Sequence, residues 1–179
     1  VKTTKTAAAF DATALPLMLY RHEYGSIPIE VTGDHAASAL DVAAAWTTES
    51  NQASAQMGNS VAGVGDVNGD GYADAAIGAM LYDNGHSNEG KVWVHHGSAS
   101  GLWSTANWTA EGDALNGSFG MSLDGAGDVN GDGYADLIVG GPGLKNALNG
   151  EGMARIYLGS STGLAAAAVW NGSGGQANA

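Results

Sequence analysis

Short apolar segments, separated by turns rich in glycine and asparagine, follow one another along the chain from residue 57 onward. The first four are Met57 to Val64, Ala75 to Met80, Val92 to His96 and Asn107 to Glu111. Each has the length of a strand and is too short for an ordinary helix, and the turns contain the residue types that end strands. The pattern predicts a four-stranded antiparallel sheet in an all-β fold.

The same pattern returns after 62 residues. Trp46, Trp108 and Trp170 lie at this interval, and Asp66 is separated from Asp128 by the same distance. Four strands per repeating unit, with the units stacked side by side, is the plan of a β-propeller blade. The three tryptophans stand at equivalent positions on successive units, which favours packing between neighbouring units over a row of sugar-binding rings.

The 62-residue repeat divides the chain into three parts. We expect full blades at residues 51–112 and 113–179, and a partial or divergent N-terminal blade at residues 1–50. The alanine-rich segment Ala36 to Trp46 favours a helix by composition, but it repeats the spacing of residues 98–108, which predicts strand and loop. Three blades do not close a propeller ring and leave sheet faces exposed. Further blades are therefore expected from the same longer chain or from other copies.

An aspartate-rich loop lies between the first and second predicted strands of each unit. Residues 65–74 read GDVNGDGYAD, and residues 127–136 repeat this run. Oxygen-bearing side chains fall at loop positions 1, 3, 5 and 9, with a backbone carbonyl at position 7, and calcium takes such ligands at about 2.3 to 2.6 Å. The predicted ligands are Asp66, Asn68, Asp70, the Tyr72 carbonyl and Asp74 in the first loop, and Asp128, Asn130, Asp132, the Tyr134 carbonyl and Asp136 in the second.

Electrostatic repulsion supports a bound cation in each loop. Three aspartates crowd into nine residues and would repel one another without a divalent ion. Gly71 and Gly133 stand at loop position 6, where the chain turns sharply and a residue without Cβ is favoured. Aspartate, asparagine and glycine also dominate ordinary solvated turns, but two copies with identical spacing favour two calcium sites.

Two other kinds of aspartate-rich loop fit the sequence less well. Dockerin modules carry a similar run, but there the loop leads into a helix and the repeat is much shorter. EF-hands need a helix on each side and a glutamate at position 12. Ile77 and Val139 occupy that position here, and the run from Leu137 to Pro142 is a short β-type segment that glycine and proline end.

The residues around the second loop resemble the FG-GAP repeat of integrin α-subunit propellers and of many bacterial secreted proteins. Phe119-Gly120 is similar to the FG element, and Gly140-Gly141-Pro142 to the GAP element. The resemblance covers about residues 46–172 and implies a β-propeller with an aspartate-rich loop between the two elements. The first unit departs from the family pattern, because it has Met57 in place of phenylalanine and Ala79-Met80 in place of a proline-containing ending.

Composition and charge narrow the class of partner. The formal net charge is −12 with only six lysines and arginines, which argues against a nucleic-acid surface. No apolar run approaches the roughly 18 residues of a membrane-spanning helix. An acidic, calcium-loaded protein suits the millimolar calcium outside cells, so we expect a secreted or cell-surface location.

The sequence offers little for a catalytic centre. A Gly-x-Ser-x-Gly elbow, a His-Glu-x-x-His motif and a phosphate loop are all absent. His95 and His96 follow one another on a predicted strand, so their side chains point to opposite faces and do not chelate one metal. Glu89 and Glu151 precede glycine at matching positions of the two units, which indicates a structural turn. We expect no enzyme activity.

These observations favour a non-catalytic, calcium-stabilised β-propeller segment that acts in adhesion or in binding a protein or glycan ligand. Two alternatives from other classes stay open. The chain is either a structural subunit that assembles blade to blade into an oligomer or filament, or an accessory domain of a secreted hydrolase. A fold by itself does not establish a ligand.

Overall fold

The structure, a computed structural model, describes residues 46–145 and 150–176. The predicted N-terminal blade lies almost wholly outside these residues, as does the predicted strand and loop at residues 36–45. The described chain forms eight strands and no helix. The first four are β1 (Met57–Gly65), β2 (Asp74–Ala79), β3 (Lys91–His95) and β4 (Trp108–Glu111). The second four are β5 (Ser122–Gly127), β6 (Asp136–Gly141), β7 (Met153–Tyr157) and β8 (Trp170–Ser173).

The eight strands form two four-stranded antiparallel sheets, in the orders β1-β2-β3-β4 and β5-β6-β7-β8. Each strand pairs with the next in the chain, as short glycine-rich connections favour. The all-β prediction is confirmed, and each strand of the first sheet begins and ends within one residue of its predicted boundary. The two sheets lie inside the ranges 51–112 and 113–179, while the ends of the blades stay a prediction.

A register shift in the first strand of each sheet sets the position of the aspartate-rich loop. In the first sheet the shift falls between Gly63 and Gly65, and Gly65 then pairs with Asp74. The same irregularity precedes the pairing of Gly127 with Asp136. An extra residue of this kind bends a strand and re-aims the residues after it. As a result, each loop closes between the two ends of one hairpin.

One hydrophobic core joins the two sheets. Val92 and Val94 alternate along β3, so both side chains point to the same buried face. Leu137 and Val139 do the same on β6. Phe119, which precedes β5, is fully buried, and its ring lies edge-on to the ring of Tyr157 with centroids 6.4 Å apart. Both units are therefore needed to complete the core.

Two tryptophans link successive units with the same geometry. The indole nitrogen of Trp108 donates to the carbonyl of Ala165 at 3.0 Å, and its ring meets the ring of Tyr157 edge-on at 4.9 Å. The indole nitrogen of Trp46 donates to the carbonyl of Trp103 at 3.0 Å, and its ring meets that of His95 edge-on at 4.7 Å. In both cases the carbonyl lies 57 residues, and the partner ring 49 residues, further along the chain than the tryptophan. The predicted packing between neighbouring units is confirmed for these two rings.

Replacing Phe119 by alanine is expected to lower the free energy of unfolding by about 3 to 5 kcal/mol, because the change leaves a cavity between the sheets. Met57 stands at the equivalent place of the first unit but is only partly buried. Met57→Ala is therefore expected to cost clearly less. Chemical denaturation of both variants measures the difference, and equal losses would contradict the central position of Phe119.

Candidate metal-binding loops

The first aspartate-rich loop folds around the carboxylate of Asp66. Oδ1 of Asp66 accepts hydrogen bonds from the backbone nitrogens of Gly69 at 2.6 Å and Asp70 at 3.1 Å. Oδ2 accepts from the backbone nitrogen of Gly71 at 2.7 Å. A single side chain thus satisfies three amides that otherwise have no partner within a strand ladder. The loop is preorganised by its own first predicted ligand.

The side chains at loop positions 3 and 5 meet each other inside the turn. Nδ2 of Asn68 donates to Oδ2 of Asp70 at 2.9 Å, and Oδ1 of Asn68 accepts from the backbone nitrogen of Asp70 at 3.1 Å. Oδ1 of Asp70 accepts from the backbone nitrogen of Tyr72 at 2.9 Å. The structure therefore brings the predicted ligand side chains at positions 1, 3 and 5 into one small loop.

Asp74, at loop position 9, differs from the other three because it is buried, with 2% of its surface exposed. Oδ2 accepts from the backbone nitrogen of Val67 at 2.9 Å, which closes the loop. Oδ1 accepts from the backbone nitrogen of Gly97 at 2.7 Å, just beyond β3. The carboxylate therefore anchors the loop to the third strand. Its oxygens keep further lone pairs for a cation.

The second loop repeats this network contact by contact. Asp128 accepts from three backbone nitrogens, at 2.7 Å, 3.1 Å and 2.8 Å, and Asn130 donates to Asp132 at 2.8 Å. Asp136 is fully buried and accepts from the backbone nitrogens of Val129 and Gly159, both at 2.8 Å. Identical ten-residue runs thus give the same fold in two separate sheets.

Glycine at position 6 of each loop adopts the backbone conformation that the sequence predicts. The φ angle is 89° at Gly71 and 94° at Gly133, in the left-handed region that other residues rarely enter. The sharp turn at this position is confirmed. It lets the amide of each glycine reach the carboxylate at position 1.

The tyrosines at loop position 7 differ in their surroundings. The ring of Tyr134 packs on Gly69 of the first loop so closely that a Cβ at Gly69 would lie 2.5 Å from Cε1 of Tyr134. The backbone nitrogen of Ala135 donates to the carbonyl of Asp66 at 3.0 Å. Tyr72, the equivalent residue of the first loop, is 44% exposed. The two loops are therefore in direct contact with each other across the sheet interface.

His96 borders the first loop, which sequence reasoning missed. Nδ2 of Asn68 donates to Nδ1 of His96 at 3.1 Å, and the imidazole is buried. The ring of His95 lies elsewhere, where its Nδ1 donates to the carbonyl of Trp103 at 2.9 Å. The prediction that the two histidines point apart is confirmed. One feature of the sequence could have pointed to His96, because it departs from the repeat: Leu158 stands at the matching place of the second unit.

In the two loops, hydrogen bonding lowers the pKa of some carboxyl groups and burial raises that of another. Hydrogen bonds from the Asn68 side chain and the Tyr72 backbone lower the pKa of Asp70 below its ordinary value. Backbone hydrogen bonds, with Gly133 first, lower the pKa of Asp128. Burial raises the pKa of Asp74 in spite of its hydrogen bonds from Gly97 and Val67. A cation beside Asp74 would oppose this effect of burial.

The loops fit a hard cation by the chemistry of their donors. Each places the side chains of three aspartates and one asparagine in a single turn, and oxygen is the ligand that calcium and magnesium take. Among the described residues, the three aspartates of neither loop bring their carboxylate oxygens within 4.8 Å of one another. Two ion pairs of the described residues, Lys91 with Glu111 and His86 with Glu89, lie outside both loops. That these residues bind an ion stays a prediction.

Comparison with known proteins identifies the repeat. The sequence profile of the FG-GAP repeat matches residues 57–95 and 119–157, which span the first three strands and the loop of each sheet. The chain carries two FG-GAP repeats. The family resemblance of the Phe119-Gly120 element and of the aspartate-rich loops is therefore shown, and the two sheets are blades of the β-propeller type.

Several integrin alpha chains are similar to this protein. Integrin alpha-7 of Rattus norvegicus is 42% identical over 85 residues, which is 47% of this chain and 7% of the relative. Integrin alpha-V of Gallus gallus is 38% identical over 98 residues, 52% of this chain and 9% of the relative. Integrin alpha-5 of Xenopus laevis is 31% identical over 143 residues, 78% of this chain and 13% of the relative. The chain thus spans only a small part of these relatives. Across the described ranges, no helix has the length and apolar character that crossing a membrane requires.

Asp136→Asn is expected to lower the free energy of unfolding by about 2 kcal/mol or more in chelator, since a buried carboxylate that accepts two backbone hydrogen bonds is replaced by a group with an N–H donor on one side. Chemical denaturation without metal separates this effect from any loss of a cation. Asp124→Asn is the control, because Asp124 is exposed and lies outside both loops. A loss as small as that of the control would refute the anchoring role of Asp136.

Proposed function

We propose that the chain is a calcium-stabilised, non-catalytic β-propeller segment of a secreted or cell-surface protein that acts in adhesion or ligand binding. One observation carries the metal part of this proposal. Two loops in separate sheets reproduce the same hydrogen-bond network, in which the side chains of three aspartates and one asparagine hold the same backbone turn.

Calcium is the ion that best suits these loops. The side chains that face one another are Asp66, Asn68 and Asp70 in the first loop and Asp128, Asn130 and Asp132 in the second. Their carboxylates repel one another, and a divalent cation converts this repulsion into attraction. Val67 of the first loop is buried in the hydrophobic core, but the turn that follows it, residues 68–71, contains no apolar side chain. An ion supplies the stabilisation that a hydrophobic core cannot supply in that turn. Calcium is therefore assigned a structural role.

Similarity to integrin alpha chains supports adhesion or ligand binding as the function of the whole protein. The similarity covers up to 78% of this chain at 31% identity. A protein or glycan ligand fits this class, with the binding face formed by loops other than the calcium loops. The same similarity supports a non-catalytic role and a location outside the cell, and the net charge of −12 suits surroundings rich in calcium.

Asp132→Ala is expected to remove the calcium site of the second loop and to leave that of the first. By linkage, each site contributes about 2.7 kcal/mol at a calcium concentration 100 times its Kd. The variant should therefore show a clearly smaller calcium-dependent rise in melting temperature than the parent chain, lower by the share of one site, measured by calorimetry in calcium and in chelator. Asp70→Ala, the matching change in the first loop, should behave in the same way, and Asp124→Asn should show the full rise. Equal rises in all four proteins would count against structural calcium.

Assembly blade to blade is a second candidate, which the exposure of Trp170 favours. Trp46 and Trp108 are each held by a carbonyl and a ring of the following unit. Trp170, at the third equivalent position, is 49% exposed, and its ring lies against Gly172 of its own strand. The neighbouring Val169 is also exposed. A further blade, from a longer chain or another copy, would give Trp170 the partners that the other two tryptophans have.

Trp170→Ala is expected to change the free energy of unfolding of the single chain by no more than about 0.5 kcal/mol, as for other surface positions. Trp108→Ala should cost about 3 to 5 kcal/mol. If copies assemble through this face, the first variant should also lower the mass in solution at a fixed concentration, measured by light scattering. A parent chain that stays monomeric at every concentration would rule out assembly from copies of this chain.

A further inference from the structure

Three acidic side chains outside the aspartate-rich loops lie close together at one end of the first sheet. Glu89 precedes β3, Glu111 ends β4, and Asp113 follows two residues later. One carboxylate oxygen from each residue lies within 4.8 Å of the other two. Oxygens at such separations can contact a single ion at the usual distances of about 2.3 to 2.6 Å for calcium.

Glu89 is a buried member of this group whose carboxylate lacks hydrogen bonds. Its side chain is fully buried, and neither of its carboxylate oxygens accepts a hydrogen bond from any residue that the structure describes. Nδ1 of His86, which carries a charge only when it is protonated, lies 3.5 Å from Oε2, on a side chain that is 52% exposed. Burying a carboxylate without hydrogen bonds costs several kcal/mol as an order of magnitude. A charge partner inside the cluster would remove this cost.

The cationic groups that face the cluster do not balance it. Nζ of Lys91 lies 2.8 Å from Oε1 of Glu111, and Nδ2 of Asn84 donates to Oε2 at 2.8 Å. Arg155 reaches the backbone carbonyl of Glu111 at 3.4 Å, and its guanidinium lies over the ring of Phe119. Among the described residues, Lys91 therefore pairs with Glu111 and His86, when it is protonated, with Glu89, which leaves the charge of Asp113 for another cation.

The cluster is specific to the first unit. Glu151 of the second unit matches Glu89, but Ser173 and Gly175 stand where Glu111 and Asp113 would be repeated. In the turn that both units share, Glu89 acts through its backbone, because its carbonyl accepts a hydrogen bond from the backbone nitrogen of Phe119 at 3.0 Å. The turn explains the position of Glu89 in the chain but does not explain three carboxylates facing one another.

The cluster and the first calcium loop lie at opposite ends of the first sheet. Asp74 begins β2 beside the end of β3, where Ala75 pairs with His95. Lys91, at the other end of β3, pairs with Ala79 and with Glu111. The two groups of carboxylates are therefore separated by the length of a strand, and each can be altered without touching the other.

We propose that Glu89, Glu111 and Asp113 bind a divalent cation with oxygen ligands, calcium or magnesium, at a site separate from the aspartate-rich loops. Glu89 supplies a buried ligand, and Asp113, which is exposed, supplies a ligand on the solvent side of the ion. The ion joins the turn before β3 to the end of β4, close to the point where Phe119 enters the core. The site does not depend on whether the loops bind calcium.

Native mass spectrometry of the whole chain, titrated with calcium alone and with magnesium alone, tests this site. Asp113→Asn removes one charge from an exposed position, and asparagine tolerates the φ angle of 54° found there. Glu89→Gln keeps the shape of the buried side chain. Each variant is expected to bind one ion fewer than the parent chain. Asp124→Asn, with the same loss of charge at a remote exposed position, should bind as many ions as the parent.

Melting curves of Glu89→Gln in chelator and in the cation provide a second reading. In chelator the variant should melt at or above the temperature of the parent, because an uncompensated buried charge is gone. In the cation it should gain less than the parent. An equal fall in melting temperature under both conditions would overturn the proposal, since Glu89 would then be a structural partner only.

The outcome for this cluster is distinguishable from that for the loops. A lost ion in Asp113→Asn but none in Asp132→Ala would support the cluster and count against the loops. Unchanged ion counts in both Asp113→Asn and Glu89→Gln, with either metal, would overturn the cluster site whatever the loops bind.

Discussion

The buried carboxylates of Asp74 and Asp136 are the constraint on which the rest of each blade depends. Each is the last residue of an aspartate-rich loop and the first residue of a strand, and each accepts hydrogen bonds from both the loop and the residue beyond the third strand. The loop, the hairpin and the neighbouring strand are thereby fixed relative to one another. Placing such a charge in the interior is costly unless its oxygens are satisfied, so the surrounding backbone has little freedom to move. The exposed carboxylates of Asp66 and Asp128 then fold the rest of each loop around themselves.

Contact between the blades depends on the same loops. The carbonyl of Asp66 accepts from Ala135 of the second loop, and the ring of Tyr134 lies on Gly69. At the other end of the interface, the hydroxyl of Ser60 donates to the carbonyl of Gly120 at 2.6 Å. The apolar core fills the space between, with Phe119 at its centre. Because polar contacts close both ends of the interface, neither blade can slide along the other without leaving buried groups unpaired.

Negative charge is concentrated at three places in the chain. Six of the 18 acidic residues lie in the two loops, and three more form the cluster of Glu89, Glu111 and Asp113. In the cluster, one carboxylate oxygen of each residue lies within 4.8 Å of the other two, where repulsion is strong unless a cation is present. Glycine, which brings no side chain to a core, makes up 29 of the 179 residues. Cations bound to these carboxylates would offset the repulsion between them.

The sequence by itself determined the strands, the repeat and the folding of the loops, because these depend on short-range patterns. Alternating apolar residues, glycine at turns and aspartates at fixed spacing act within ten residues of one another, and the chain repeats them after 62. Only the tertiary structure decided which distant residues meet. Asn68 and His96 are 28 residues apart, and Glu89 and Asp113 belong to separate connections. Neither pair leaves a periodic signal, because their proximity arises from how strands pair and sheets stack. The sequence showed only that His96, Glu111 and Asp113 break the repeat.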